Sequence, residues 1–137
     1  MRRRRAAVLW IIVVAYAGIV FYLSSQSVPA PAEETVGLLG DKVLHGLEYG
    51  AFAFLLALAI GSTPWPRIRS WTALIALAGA VVYAASDELH QTFVPGRQGD
   101  VMDLLADSVG AALAAAVYEV WRRWSARRVP VSGTSPR

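Results

Sequence analysis

The amino-acid sequence predicts an all-α protein, a four-transmembrane-helix bundle with its N and C termini in the cytoplasm. Three observations point there. Of 137 residues, 55% are hydrophobic and only 17% charged. The apolar residues gather into four long blocks, whereas a soluble core of this size would interleave them with polar positions. Basic residues sit at alternate block ends, where the rule that positive charge stays inside reads them as topology signals.

Ala6 to Leu23 is apolar apart from Tyr16 and Tyr22, and as a helix it reaches roughly 27 Å, close to the thickness of a hydrocarbon core. The second span runs from Asp41 to Gly61, polar at its start and strongly apolar at its end, and Gly61-Ser-Thr-Pro-Trp-Pro66 must stop it. Trp71 to Ala85 continues as helix to about Thr92, because the next break is Val94-Pro-Gly96. Val101 to Trp121 makes the fourth span, with Asp100 placed as its N-cap. Four segments of this length cannot close a barrel, so each satisfies its backbone as a helix.

Arg2 to Arg5, then Arg67 and Arg69, then Arg122, Arg123, Arg127 and Arg128 all fall on one side of such a bundle. That side is read as cytoplasmic. Residues 24–44 and 86–100 fall on the other side, and both segments are net acidic. Trp65, Trp71, Trp121 and Trp124 lie at the inner interface, where indole rings prefer to sit. The net charge of +3 is thereby explained by topology and not by nucleic acid. No cysteine is present, which excludes disulfides, zinc-thiolate sites and thiol catalysis.

A cleaved signal peptide ending at Ala30-Pro-Ala32 would show the same three regions, but the apolar run is too long for an ordinary signal core. Ser24 to Thr35, rich in Ser, Pro and Ala, reads as an external linker without a motif, and Val129 to Arg137 as a disordered tail. The sequence divides into a basic N-terminus with the first span (1–23), an external linker (24–40), a domain of three spans (41–121) and a basic cytoplasmic tail (122–137).

Chemistry concentrates on the outer halves of spans two, three and four. Asp41, His45, Glu48, Tyr49 and Phe52 share one side of a helix, as do Tyr83, Asp87, His90 and Gln91, and as do Asp100, Asp103, Asp107 and Gly110. Glu88 is turned about 100° from the Asp87 stripe, toward solvent. Glu48 and Asp107 each lie roughly 10 Å inside the outer end of their helices. A carboxylate facing lipid there would cost on the order of 2.5 to 3.5 kcal/mol, so both should face the bundle interior. They are expected to face each other, with a shared proton or a cation from Lys42, Arg97 or His45 between them. Gly46-xxx-Gly50 reads as helix packing, and Tyr49 and Tyr83 as amphipathic packing residues. His45 and His90 lack any metal-motif spacing, so neither a metal nor a cofactor is expected.

The stretch from about Asp41 to Ala115 resembles the VanZ-like family of small bacterial membrane proteins. Asp41-Lys-Val-Leu-His45 with Tyr49, Ser86-Asp-Glu-Leu-His-Gln91 with Pro95-Gly-Arg97, and Asp103 with Gly110 carry the resemblance. The family pattern usually has Asn where this chain has Asp107, so no role is inherited at that position. The family is named for a protein that gives bacteria resistance to teicoplanin. The resemblance therefore implies a role at the cell envelope, in the bacterial cytoplasmic membrane.

Asp41, Lys42, His45, Tyr49, Asp87, Glu88, His90, Gln91, Arg97, Asp103 and Asp107 form the candidate binding cluster, expected to converge on one outward-opening cavity. One reading is a binding protein: the cavity holds a polar head group or glycopeptide-related ligand, with Arg97 or Lys42 pairing an anion and the acids accepting amines or hydroxyls. The other is an intramembrane hydrolase or transferase acting on a lipid-linked envelope intermediate, with His45 or His90 as base and a buried acid beside it. Ser86 and Ser108 lack a partner motif and no Gly-rich phosphate loop appears, which favours binding. Ion transport through the carboxylates is a third possibility, weakened by the absence of inverted repeats. Membrane lipids, a lipid-linked precursor or a glycopeptide are the partners implied.

Topology is directly testable. A reporter fused after Arg137 or within residues 61–70 is expected to read cytoplasmic, and one within residues 24–40 external. An internal position for residues 24–40 would overturn the placement of the whole cluster.

Overall fold

The structure is a computed structural model describing residues 2–27 and 30–128. Five helices follow in order: α1 (Arg2–Ser24), α2 (Ala30–Gly61), α3 (Pro66–Ser70), α4 (Thr72–Gln91) and α5 (Val101–Arg127), with no strand among the described residues. Four of them contain stretches long and apolar enough to cross a membrane: Arg3–Ser24, Gly40–Gly61, Thr72–Gln91 and Val101–Arg127. α2 is central and packs against α5, α4 and α1, while α4 also packs on α5. α1 leans on this three-helix core from outside, against α2 and α4.

The interior is built from small side chains. Ala53, Ala57, Ala59, Ala76, Ala80, Ala84, Ala111 and Ala115 are buried, while Val43, Leu47, Leu74, Val82, Val109, Leu113 and Val117 are exposed along the helix flanks. Lipid tails are as apolar as leucine, so large aliphatic groups gain nothing by turning inward, and small ones let the helices approach. The approach is closest between α2 and α5. A Cβ on Gly50 would sit 3.1 Å from the carbonyl oxygen of Gly110, one on Gly46 would sit 3.2 Å from that of Ala106, and one on Gly110 would run into the backbone of Gly46. The Gly46-xxx-Gly50 pair is thus a packing motif, as its spacing predicts.

Aromatic rings join α1 to this core. Phe52 stacks with Tyr16 at 6.1 Å and lies 5.0 Å from Tyr83. Tyr16 donates its hydroxyl proton to the carbonyl of Glu48 at 3.0 Å, and Tyr83 donates to that of Ala17 at 2.7 Å. Each phenol therefore buries its ring and satisfies its polar tip on a neighbouring helix's backbone.

Three boundaries differ from the sequence expectation. The segment read as a linker is helical from Ala30, since proline and alanine both suit the start of a helix. That helix is broken at Gly37, whose φ of 66° and ψ of 154° a glycine adopts without strain, so the span proper begins near Gly40. α5 continues beyond Trp121 to Arg127, stabilised by Glu119, which accepts from Arg122 and Arg123 one turn on. The tail expected from Val129 lies outside the described residues.

The α2–α5 contact makes a clear prediction. Gly110→Ala should lower the melting temperature in detergent, by an overpacking cost of about 1 to 3 kcal/mol. Gly18→Ala should not, because a Cβ there meets nothing within 4 Å.

Candidate functional site

The α2–α5 crossing at Gly46, Gly50 and Gly110 sets what lies one turn nearer the acidic end. Lys42 and His45 on α2 come against Asp103 and Asp107 on α5. The Lys42 ammonium bonds Asp103, lies 2.7 Å from Asp100 Oδ2 and reaches Asp41 at 3.5 Å. His45 Nδ1 is 3.2 Å from Asp107 Oδ1, and its Nε2 is 3.8 Å from Asp103 Oδ1. The acids form a gradient from rim to floor: side chains of Asp41 and Asp100 are 49% and 45% exposed, Asp103 12%, and Asp107 1%.

Asp100 fills the N-cap role predicted for it, accepting from the Met102 N–H at 2.8 Å. Its own N–H donates to Glu88 Oε2 at 2.7 Å. Glu88 is therefore buried, 8% exposed, and not turned to solvent as its helical angle suggested. The loop 92–100 folds back over the end of α4, and Gly99 lies against the Glu88 carbonyl. A side chain rotated away from the Asp87 stripe is thereby covered by the start of α5. Among the described residues, three buried side-chain atoms have no hydrogen-bond partner: Glu88 Oε1, Asp107 Oδ2 and the Tyr49 hydroxyl.

Asp87, His90, Gln91 and Arg97 belong to a second set, which holds α1 to α4. Ser24 donates to Asp87 Oδ1 at 2.6 Å, and Gln91 donates to Asp87 Oδ2 at 3.3 Å. Ser25 Oγ is 3.0 Å from His90 Nε2, with Phe21 stacked on the imidazole at 4.5 Å. The Ser25 hydroxyl proton goes to the Phe21 carbonyl at 2.6 Å, so His90 donates to Ser25, and the pair is a latch and not an activated nucleophile. Arg97 donates to the carbonyls of Gln26 and Leu23 at 3.0 and 3.4 Å, capping the C-terminal end of α1 with positive charge. Its two bonded nitrogens are committed to backbone, and an anion-pairing role loses its main support.

Of the cations expected beside Asp107, His45 is the one that bonds it. At this end Lys42 and His45 draw the carboxylates together. Cavities of about 250 and 450 Å³ lie at the basic end, beside Gly61, Arg69 and Tyr118. Ser24 and Ser25, which partner Asp87 and His90, were missed in the sequence because a hydroxyl in a Ser-Pro-Ala stretch carries no spacing signal.

A family model described as VanZ/LLP1 matches residues 7–122. The chain belongs to the VanZ/LLP1 family. It is a VanZ-like multi-pass membrane protein, and the match includes α1, beyond the motifs of residues 41–115 that carried the resemblance. No curated protein and no solved structure shows a significant match to the chain.

Asp100, just outside the span, gives this VanZ-like protein a pH signature. The Lys42 ammonium hydrogen-bonded to it, helped by the Met102 amide, holds its carboxyl below the ordinary value. A group whose value is depressed on folding adds stability that is fully present above its unfolded value and is lost as pH falls through its folded one. The parent's melting temperature should therefore fall with acidification through that window more steeply than that of Asp100→Asn, which keeps the cap without the titration. Scanning calorimetry in detergent at stepped pH measures it.

Proposed function

We propose that this VanZ-like protein acts at the cell envelope of a bacterial cytoplasmic membrane, with both ends cytoplasmic and the acidic end outward, and that it binds a ligand there. The ligand is a polar head group or a glycopeptide-related molecule carrying amine and hydroxyl groups, and its binding contributes to teicoplanin-type tolerance. Orientation is supported by Arg5, Arg69 and Arg122, which line neighbouring cavities at the opposite end from the acids.

One observation carries the ligand's chemistry: acceptors exceed donors at the rim. Asp41, Asp100 and Asp103 share the single Lys42 ammonium, and two of these acids are almost half exposed. Arg97 is occupied on α1. Such a surface favours an ammonium or hydroxyl-bearing group over a phosphate. The intramembrane-enzyme reading keeps one specific support, the His45–Asp107 pair at 3.2 Å, which has the geometry of an acid–base couple.

The discriminating experiment compares envelope precursors by mass spectrometry in cells with and without the protein, alongside teicoplanin binding to the purified chain. Binding is expected without covalent change. Asp103→Ala should weaken it roughly ten- to a hundredfold, the worth of one charge-assisted hydrogen bond, and abolish any tolerance conferred. A covalent change in a precursor that disappears with His45→Gln would establish the enzyme instead.

A further inference from the structure

Among the described residues, two groups of side chains at the acidic end have the spacing of cation ligands, and both use His45. Asp41, His45 and Asp103 bring ligand atoms within 4.8 Å of one another, and so do His45, Glu88 and Asp107. Donors bound to one ion at about 2.0 to 2.2 Å lie roughly 3 to 3.5 Å apart, so small side-chain adjustments would close either group on an ion. Their charges are met differently. The first group already holds its cation, because the Lys42 ammonium bonds Asp103 and reaches Asp41.

The second group is unsatisfied. Asp107 is 1% exposed and accepts from His45 through Oδ1, while its Oδ2 has no partner. Glu88 is 8% exposed and spends Oε2 on the Asp100 amide, while its Oε1 has none. Buried carboxylate oxygens are ordinarily hydrogen-bonded, and two orphans in one trio call for a shared positive partner. We propose that His45, Glu88 and Asp107 bind one divalent ion of the first transition row, Zn²⁺ or Mn²⁺. An imidazole beside two carboxylates suits these ions, whereas an all-oxygen set would suit Mg²⁺ or Ca²⁺.

The surroundings fit. With Nδ1 of His45 turned to Asp107, its Nε2 faces Asp103 Oδ1 at 3.8 Å. That is where a ligating histidine's second nitrogen finds a carboxylate that fixes its tautomer. Asp41 and Asp100, half exposed above, give a cation an acidic route to the floor. Three protein ligands leave coordination positions open for water or a ligand oxygen. The ion stands independently of the head group proposed above, and the probes below contain neither lipid-linked precursor nor antibiotic.

The full chain, purified in detergent and stripped with a chelator, is titrated with ZnCl₂ by calorimetry and with MnCl₂ by electron paramagnetic resonance. One ion per chain is expected, with a rise in melting temperature on loading. Glu88→Gln and Asp107→Asn should each weaken binding at least ~100-fold, the upper range for losing even an outer-shell partner. Glu119→Gln at the basic end should leave it unchanged. The metal-free Asp107→Asn protein should melt no lower than the metal-free parent, since an asparagine can still accept from His45 without bringing a buried charge to be neutralised, and zinc should no longer raise its melting temperature. Absence of saturable binding by the parent overturns the site. So does binding that survives both Glu88→Gln and Asp107→Asn, or that is lost in Asp41→Asn and kept in Glu88→Gln.

Discussion

The close approach of α2 and α5 at Gly46, Gly50 and Gly110 is the constraint from which the acidic end follows. With carbonyl oxygens only 3.1 to 3.2 Å from where a Cβ would stand, the two backbones leave no room for side chains between them. The groups next to the crossing on its acidic side are then forced against their counterparts. Lys42 meets Asp103, and His45 meets Asp107. Larger residues at those glycines would separate the helices and leave the carboxylates without their cations. In a membrane, where burial of leucine gives helices no reason to associate, such backbone contact and the polar links beside it supply the association.

A physical division runs through the polar stripe. Asp87, His90 and Arg97 spend hydrogen bonds on the end of α1, on Ser24, on Ser25 and on the carbonyls of Leu23 and Gln26, while Gln91 donates to Asp87. These are local, complete and directed at a neighbouring helix end, which is how structural polar groups behave. The α2–α5 set is different. It contains more acceptors than donors, and its deepest acid, like Glu88 of α4 beside it, keeps an oxygen unpaired. Stability does not require that imbalance, so the excess of acceptors points to something outside the chain.

Much of the architecture was legible because the bilayer reduces the choices. Apolar length gave the four spans, Gly61 to Pro66 gave the first hard stop, and Asp100 gave the start of α5, each a local signal with one physical solution. The polar stripes were legible by helical spacing. Which stripe meets which was not, because helix rotation and crossing are set by packing, and the sequence shows spacing along a helix but not the angle between two. Arg97 therefore read as a free cation although it caps α1. Glu88 read as solvated because the 92–100 loop that covers it has no periodicity to follow. Ser24 and Ser25 read as linker because a serine's partner lies on another helix.

The depth of Asp107 sharpens what the site is for. A carboxylate this far into an apolar span would cost on the order of 2.5 to 3.5 kcal/mol if it faced lipid. Turning it inward onto His45 removes that cost, but a neutral asparagine there could bond the imidazole through its amide oxygen without bringing a charge that needs neutralising. Retaining an ionisable group is a structural disadvantage unless its charge is used. The usable charge lies between an imidazole and a second buried acid, below a rim of half-exposed carboxylates. A structural ion pair would have matched one base to one acid; three acids crowd this one histidine, Asp103, Asp107 and Glu88. Lys42 accounts for the first of them, and the remaining two set the demand for positive charge that any ligand of this VanZ-like protein must meet.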